Sequence, residues 1–221
     1  MSDVVKPKAG RAARPAGRGT RRAEQARATR RRIAGQAQEL FLRQGYAATT
    51  LDQIAAKAGV AVQTVYFHFG NKATVLKQAV DMLAVGDDEP VPMLDRPWVQ
   101  QMREEPDGRR ALAIWLSNSR DIFTRLAPLL KVVRDAAGAD PEMAAQWQAN
   151  QQQRLTDYQI LAQYLAEKQA LRPDLGTEHA ADIIFCLASQ DLYLLFTAER
   201  GWTPSHWEQW IHHTLTATIL R

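Results

Sequence analysis

Apolar residues along the first third of the chain recur at the spacings of helix faces. Ile33, Ala37, Leu40 and Phe41 fall at i, i+4, i+7 and i+8, which predicts a helix from about Arg22 to Gln44, stopped by Gly45. In "TTLDQIAAKAGV", Thr50 and Gln53 fit a capping box, and Leu51, Ile54, Ala55 and Ala58 give a second, short helix an apolar face that Gly59 ends. Beyond that glycine, Val60 and Val65 are expected to turn inward against Ile54 and Ala55, with Phe69 and one edge of Phe67 closing a small core. Val62, Gln63 and Thr64 then point outward, and Tyr66, His68 and Lys72 offer polar atoms on the outer side. Two short helices around a glycine turn make a helix-turn-helix unit.

A further helix is predicted from Lys72 to Val85 through Val75, Leu76, Ala79, Met82 and Leu83, running into the acid- and proline-rich "GDDEPVPMLDRP". A domain boundary is expected there, dividing a helix-turn-helix domain over 27–87 from a larger helical domain over 88–221. The second domain reads as helices over Arg109–Leu126, Pro128–Ala137, Pro141–Ala170, Thr177–Glu199 and Pro204–Leu220. No alternating β-branched run bounded by turns and no internal repeat appears, so the fold class expected is all-α.

Charge sharpens this division. Residues 1–80 carry 15 Lys/Arg against 4 Asp/Glu, and the remainder 13 against 20, so a net +4 conceals a strongly basic N-terminal part. Residues 1–20 are rich in Ala, Gly, Pro and Arg with scarcely any large apolar side chain, and the segment 1–26 is expected to be a flexible basic arm. A basic stretch directly ahead of a helix-turn-helix points to a polyanion partner. No apolar run approaching the roughly 20 residues of a membrane helix is read, so a cytoplasmic protein without a membrane partner is expected. A lone cysteine, Cys186, excludes an internal disulfide.

The stretch "TTLDQIAAKAGVAVQTVYFHFGNKATVLKQAV" resembles the TetR family of bacterial transcriptional regulators. The resemblance is carried by Thr50, Ile54, Ala55, Ala58, Gly59, Val60, Thr64, Tyr66, His68, Phe69 and Lys72, and it covers residues 27 to 85. It implies a double-stranded DNA operator as partner, a homodimer, and a C-terminal helical region for ligand binding and dimerisation. In such units the N-terminal part of the second helix meets base edges in the major groove. Gln63 is then the first candidate base reader, because its amide can pair with adenine N6 and N7, while Val62 and the Thr64 methyl could touch a thymine methyl. Thr50, Tyr66, His68 and Lys72 carry over as phosphate contacts. The rival reading gives Tyr66 and His68 a packing role and leaves Lys72 solvated.

All six tryptophans lie beyond the boundary. Aromatic walls with a few polar groups suit a small-molecule pocket, and Trp115, Asn118 and Ser119 on one helix with Trp147, Gln151, Arg154 and Tyr158 on another are its candidates, for a small apolar or aromatic effector. Ordinary core packing is the alternative for Trp115, Trp147 and Tyr158. The last two predicted helices carry more apolar surface than a two-helix edge can bury, which makes Ile184, Leu187, Leu195, Trp207, Ile211 and Leu215 candidates for a dimer interface. His206, His212 and His213 lack metal-ligand spacing, and no phosphate loop or nucleophile motif stands in the sequence, so neither metal, cofactor nor enzyme is expected. The function expected is a ligand-responsive transcriptional regulator, a repressor; the alternative is an architectural DNA-binding protein without an effector.

Overall fold

The computed structural model describes residues 17–85 and 95–221. The first sixteen residues of the expected arm and most of the boundary loop lie outside the described residues. Ten α-helices and a π-helical turn are present among the described residues, with no strand beyond one isolated bridge between Leu171 and Leu220.

The head comprises α1 (Gly17–Ala48), α2 (Leu51–Ala58), α3 (Val62–Phe69) and α4 (Lys72–Val85). Helix α1 begins earlier than the sequence pattern suggests, at Gly17 rather than near Arg22. Its regular geometry breaks at Gly45, whose φ of 77° is open to glycine at no steric cost. Thr50 caps α2 as expected: its hydroxyl accepts from the Gln53 N–H at 3.2 Å, and the Gln53 side chain accepts from the Thr50 N–H at 3.1 Å. Gly59 closes α2 in the left-handed region, with φ 64° and ψ 42°.

The second part comprises α5 (Pro97–Glu104), α6 (Gly108–Ala137), α7 (Pro141–Glu167), α8 (Thr177–Leu187), α9 (Gln190–Leu194), the π-helical turn Leu195–Glu199 and α10 (Pro204–Ile219). Helix α5 falls in a stretch to which the sequence pattern assigns no element, with Pro97 at its first turn and the buried Val99 and Met102 one turn apart. Two expectations need correction. The two helices expected on either side of Pro128 are one, α6, with the proline inside it. The single helix expected from Thr177 to Glu199 is interrupted at Ala188, whose ψ of 51° lies outside the helical range.

That last segment also corrects the reading of apolar runs. The 23 residues from Thr177 to Glu199, with mean hydropathy 1.4 over the best window, have the length and composition of a membrane helix. Here the segment is broken, and Ala180, Ala181, Ile184, Ala188 and Tyr193 are buried in the core of the second part.

Two apolar cores organise the chain. One holds Ile33, Phe41, Ile54, Val65, Phe69, Leu76 and their neighbours from the head, together with Leu126, Leu129, Leu130 and Val133 of α6 and Met143 of α7. The other holds Trp115, Leu116, Phe123 and Ala127 of α6 with Tyr158, Ile184, Tyr193, Trp207, Ile211 and Leu215. Helix α6 therefore serves both. Ile122 packs against each, and Pro128 lies where the helix passes from one core to the other. At the N-terminus of α6, a Cβ on Gly108 would stand 2.2 Å from the Ala170 Cβ, so this close approach admits no side chain without movement.

Candidate nucleic-acid interface and aromatic core

Val65 and Phe69 define the inner face of α3. Gln63 is exposed, as a base reader must be, and Tyr66 is 54 % exposed. Thr64 and His68 are half-buried. Val62 turns partly inward and packs against the head core, which weakens its standing as a base contact. Phe67 departs furthest from expectation. Instead of lending an edge to the core it stands 84 % exposed, its ring meeting only the His68 ring edge-on at 5.2 Å among the aromatic contacts.

Thr50 is exposed, and its hydroxyl accepts the capping hydrogen bond, which leaves its own proton able to donate outward. Lys72 is neither solvated nor aimed freely outward. Its Nζ donates to the Tyr46 carbonyl at 2.7 Å and sits 4.2 Å from the Tyr46 ring centroid, satisfying a carbonyl at the end of α1. Burial pushes the ammonium below its usual value, and the charge of Asp140 acts in the opposite direction. Two further residues have roles that the sequence pattern did not suggest. Arg30 donates from Nη2 to the His68 carbonyl at 2.8 Å and stacks over Phe69 at 5.6 Å, pinning the end of α3 to α1. Thr49 is fully buried and donates to the Gly45 carbonyl at 2.7 Å, fixing the corner between α1 and α2.

On the flank of α1, Arg27, Arg30 and Arg31 line a groove of about 480 Å³ with Glu24, Gln78 and Met82. Together with the exposed Arg21, Arg22 and Arg32 they keep the head strongly basic.

The head meets the second part through apolar packing on α6 and through a polar joint. The Tyr46 hydroxyl donates to Asp140 Oδ2 at 2.9 Å, and Asp140 caps α7 by accepting from the N–H groups of Glu142 and Met143. Asn71 Nδ2 donates to both carboxylate oxygens of Glu142, at 3.2 and 3.0 Å. The bond from Tyr46 holds the Asp140 carboxyl below its usual range, while burial, with Asp140 second, pushes the Tyr46 phenol up.

In the aromatic core, Trp115 and Tyr158 face each other with ring centroids 6.2 Å apart, and Trp98 meets Trp115 edge-on at 5.4 Å. Phe123, Tyr193 and Trp207 form a second triple, with centroids 5.0 to 5.7 Å apart. The Tyr158 hydroxyl donates to the Ala188 carbonyl at 2.5 Å, at the break between α8 and α9, and burial raises its pKa to about 12. Arg154 donates from Nη1 to the Phe185 carbonyl at 2.9 Å and lies over the Phe185 ring at 3.8 Å; burial lowers its pKa. Gln190 Nε2 donates to Gln151 Oε1 at 3.2 Å.

Several buried polar atoms here make no hydrogen bond among the described residues: Trp115 Nε1, Trp207 Nε1, Gln190 Oε1 and Arg154 Nε. Each such atom costs about 1 to 3 kcal/mol unless a partner meets it.

Of the seven candidate pocket residues, Trp115, Ser119 and Tyr158 are buried in this region, with Gln151 and Arg154 tied to α8 and α9. Ser119 and Asn118 spend their donors on the carbonyls of Trp115 and Ile114. Trp147 does not join them, because it packs against the head core. The interface candidates divide likewise. Ile184, Trp207, Ile211 and Leu215 are each fully buried within this chain and cannot meet a second copy. Leu195, 43 % exposed, and the half-buried Leu187 remain near the surface.

The family model for "Bacterial regulatory proteins, tetR family" matches residues 33–79, the stretch from the inward face of α1 into α4. By this head the chain is similar to the TetR family. The same region is 51 % identical over 55 residues to "Uncharacterized HTH-type transcriptional regulator TtgW" of Pseudomonas putida, covering 25 % of this chain and 41 % of that protein. The chain thus aligns with less than half the length of the curated relatives it matches. Among solved structures, NalD, the secondary repressor of the MexAB-OprM multidrug efflux pump in Pseudomonas aeruginosa, superposes with a TM-score of 0.68 at 23 % identity, over 90 % of this chain and 98 % of that one. A SmeT–triclosan complex superposes with a TM-score of 0.67 at 20 % identity, over 88 % and 92 % of the two chains. At those identities the two structures show a shared fold over about nine tenths of the chain, and the fold alone.

Proposed function

We propose that this chain is a sequence-specific DNA-binding transcriptional regulator that represses its target and is released from its operator by a small, largely apolar or aromatic molecule. The observation that carries the DNA half is the face of α3. Gln63 projects from a short helix whose inner face is locked by Val65 and Phe69, with Thr50, Tyr66 and His68 beside it on a head lined by arginines. A rigid exposed helix on a basic body suits the major groove, where Gln63 pairs with adenine and the flanking hydroxyl and imidazole groups meet phosphates.

The effector half is supported by the aromatic core, whose Trp115, Trp207, Gln190 and Arg154 hold buried polar atoms that a ligand could satisfy. SmeT, of like fold, is known as a complex with triclosan, and NalD as a repressor. An effector releases DNA only by binding the DNA-incompetent arrangement better, and about 1.4 kcal/mol of preference weakens the operator tenfold. Two copies would present two α3 helices to successive major grooves roughly 34 Å apart. In this reading they pair through the outer faces of α8, the π-helical turn and α10, with Leu187 and Leu195 in place of the buried residues between the helices.

Binding selection from a random duplex pool tests the DNA half. The expected result is an inverted repeat that Gln63→Ala binds about 1 to 3 kcal/mol more weakly, with little change on random DNA. Retention of all sequences alike would instead identify an architectural DNA-binding protein.

A further inference from the structure

A helix of eight residues makes its contacts by angular position as much as by order along the chain. In α3, Val65 and Phe69 point into the core. At 3.6 residues per turn, position 67 lies about half a turn from position 65, on the pole of the outer face. Gln63 lies one turn before it, four residues back and near the same pole. Tyr66 and His68 fall on opposite flanks. In a groove between two phosphate strands the pole goes deepest and the flanks meet the walls.

The residue on the pole is an aromatic hydrocarbon. Phe67 has no donor or acceptor for a phosphate, and it is 84 % exposed where the three neighbouring aromatic residues of the helix are better covered. Leaving that ring in water forgoes the favourable free energy of burying an aromatic side chain. Nothing in the head's own core uses it. On the floor of the major groove the apolar feature of an unmodified base pair is the C5-methyl group of thymine. Gln63 and Phe67 are separated by about 6 Å along the helix, less than two base-pair steps.

We propose that Phe67 is a specificity-determining residue, seated on a thymine methyl within two base pairs of the adenine read by Gln63. The proposal rests on the reading of the chain as a sequence-specific DNA-binding protein. It assigns the apolar half of the recognition to a side chain outside the N-terminal Val62–Gln63–Thr64 triplet. Val62, turned partly into the core, is the poorer candidate for that contact.

The test uses the full chain and the duplex recovered by selection. Each thymine of one half-site is replaced singly by deoxyuridine, which removes the methyl group and keeps every hydrogen-bonding atom. For the natural chain, one such replacement is expected to weaken binding about threefold to fivefold, as loss of one buried methyl predicts, and the others little. Phe67→Ala is expected to bind the thymine duplex more weakly and to make no distinction between thymine and deoxyuridine at that position. Phe67→Leu, still apolar, keeps part of the discrimination. Because the ring is exposed, both variants should retain the natural helical content and melting temperature. Indifference of the natural chain to every replacement, or discrimination that survives in Phe67→Ala, overturns the contact while leaving DNA binding intact. A chain that retains no duplex in the selection overturns the parent reading and this contact together.

Discussion

The two cores of this chain are built to different specifications although one helix runs through both. Around the head, α6 supplies Leu126, Leu129, Leu130 and Val133 to a core of aliphatic side chains closed by Phe41 and Phe69. Toward its N-terminus, the same helix supplies Trp115 and Phe123 to a core in which large rings, those two with Tyr158, Tyr193 and Trp207, are set among aliphatic side chains. Among the described residues, every buried side-chain nitrogen or oxygen without a hydrogen bond lies at Arg103 or later, and most belong to that second region. The head meets its buried hydroxyl locally, through Thr49 and the Gly45 carbonyl. A satisfied, aliphatic core holds α3 in one position, which suits a device that reads geometry. A ring-lined core with unmet polar atoms gives up stability that a ligand can restore.

The sharpest way to break this comparison is to hollow each core in turn. Ile54→Ala in the head should cost about 2 to 5 kcal/mol, and Trp207→Ala in the aromatic core about 3 to 5 kcal/mol, each read by thermal or denaturant unfolding. Since α6 belongs to both, each variant should shift one shared cooperative transition. Two transitions that move independently would show that the cores are separate units and that Pro128 marks a true boundary.

A smaller effect is expected where the aromatic core fixes the break between α8 and α9. Tyr158→Phe removes the donor to the Ala188 carbonyl and should cost about 1 to 3 kcal/mol. Tyr158 also gives the region a pH limit. Its pKa stands at about 12, above the value of about 10 for an unperturbed phenol, so its contribution is complete below pH 10 and is lost as pH rises through 12. Alkaline unfolding followed by circular dichroism should therefore be less steep in Tyr158→Phe over that window; identical profiles would mean that another group governs it.

The smallest change expected is Gln190→Met, which removes the unpaired Oε1 together with the bond to Gln151. The loss and gain offset, and stability should stay within about 1 kcal/mol of the natural chain. A loss of several kcal/mol would mean that the glutamine is a structural member of the core, against its assignment as a group held for a ligand.

How much of this was legible in the sequence follows the range of the forces involved. The capping box at Thr50, the stops at Gly45 and Gly59 and the inward faces of α2 and α3 are set by neighbours within a few residues, so the pattern of residues reveals them. The exposure of Phe67 is not legible in the pattern, because aromatic character alone does not say on which side of a short helix a core lies. The apolar excess of α8 and α10 was visible, but which surface buries it was not: Ile184, Trp207, Ile211 and Leu215 turn toward α6 and α7, while Leu195 does not. Trp147 shares a helix with Tyr158 yet belongs to the other core. Pro128 suggested a break from its missing N–H, but packing on both sides carries α6 through it. The joint of Tyr46 with Asp140 spans 94 positions in sequence, beyond the reach of any local pattern.

Under the proposed function the head and the aromatic core act as one coupled device, joined by α6 and by the contacts of Tyr46 and Asn71 with the start of α7. Backbone hydrogen exchange of the full chain, with and without the selected operator duplex, tests it directly without knowledge of the effector. Altered protection is expected in α3, in the amides around Trp115 on α6, N-terminal to Pro128, and from Gln151 to Tyr158 on α7. Changes confined to α1 through α4, with the aromatic core exchanging alike in both states, would contradict it.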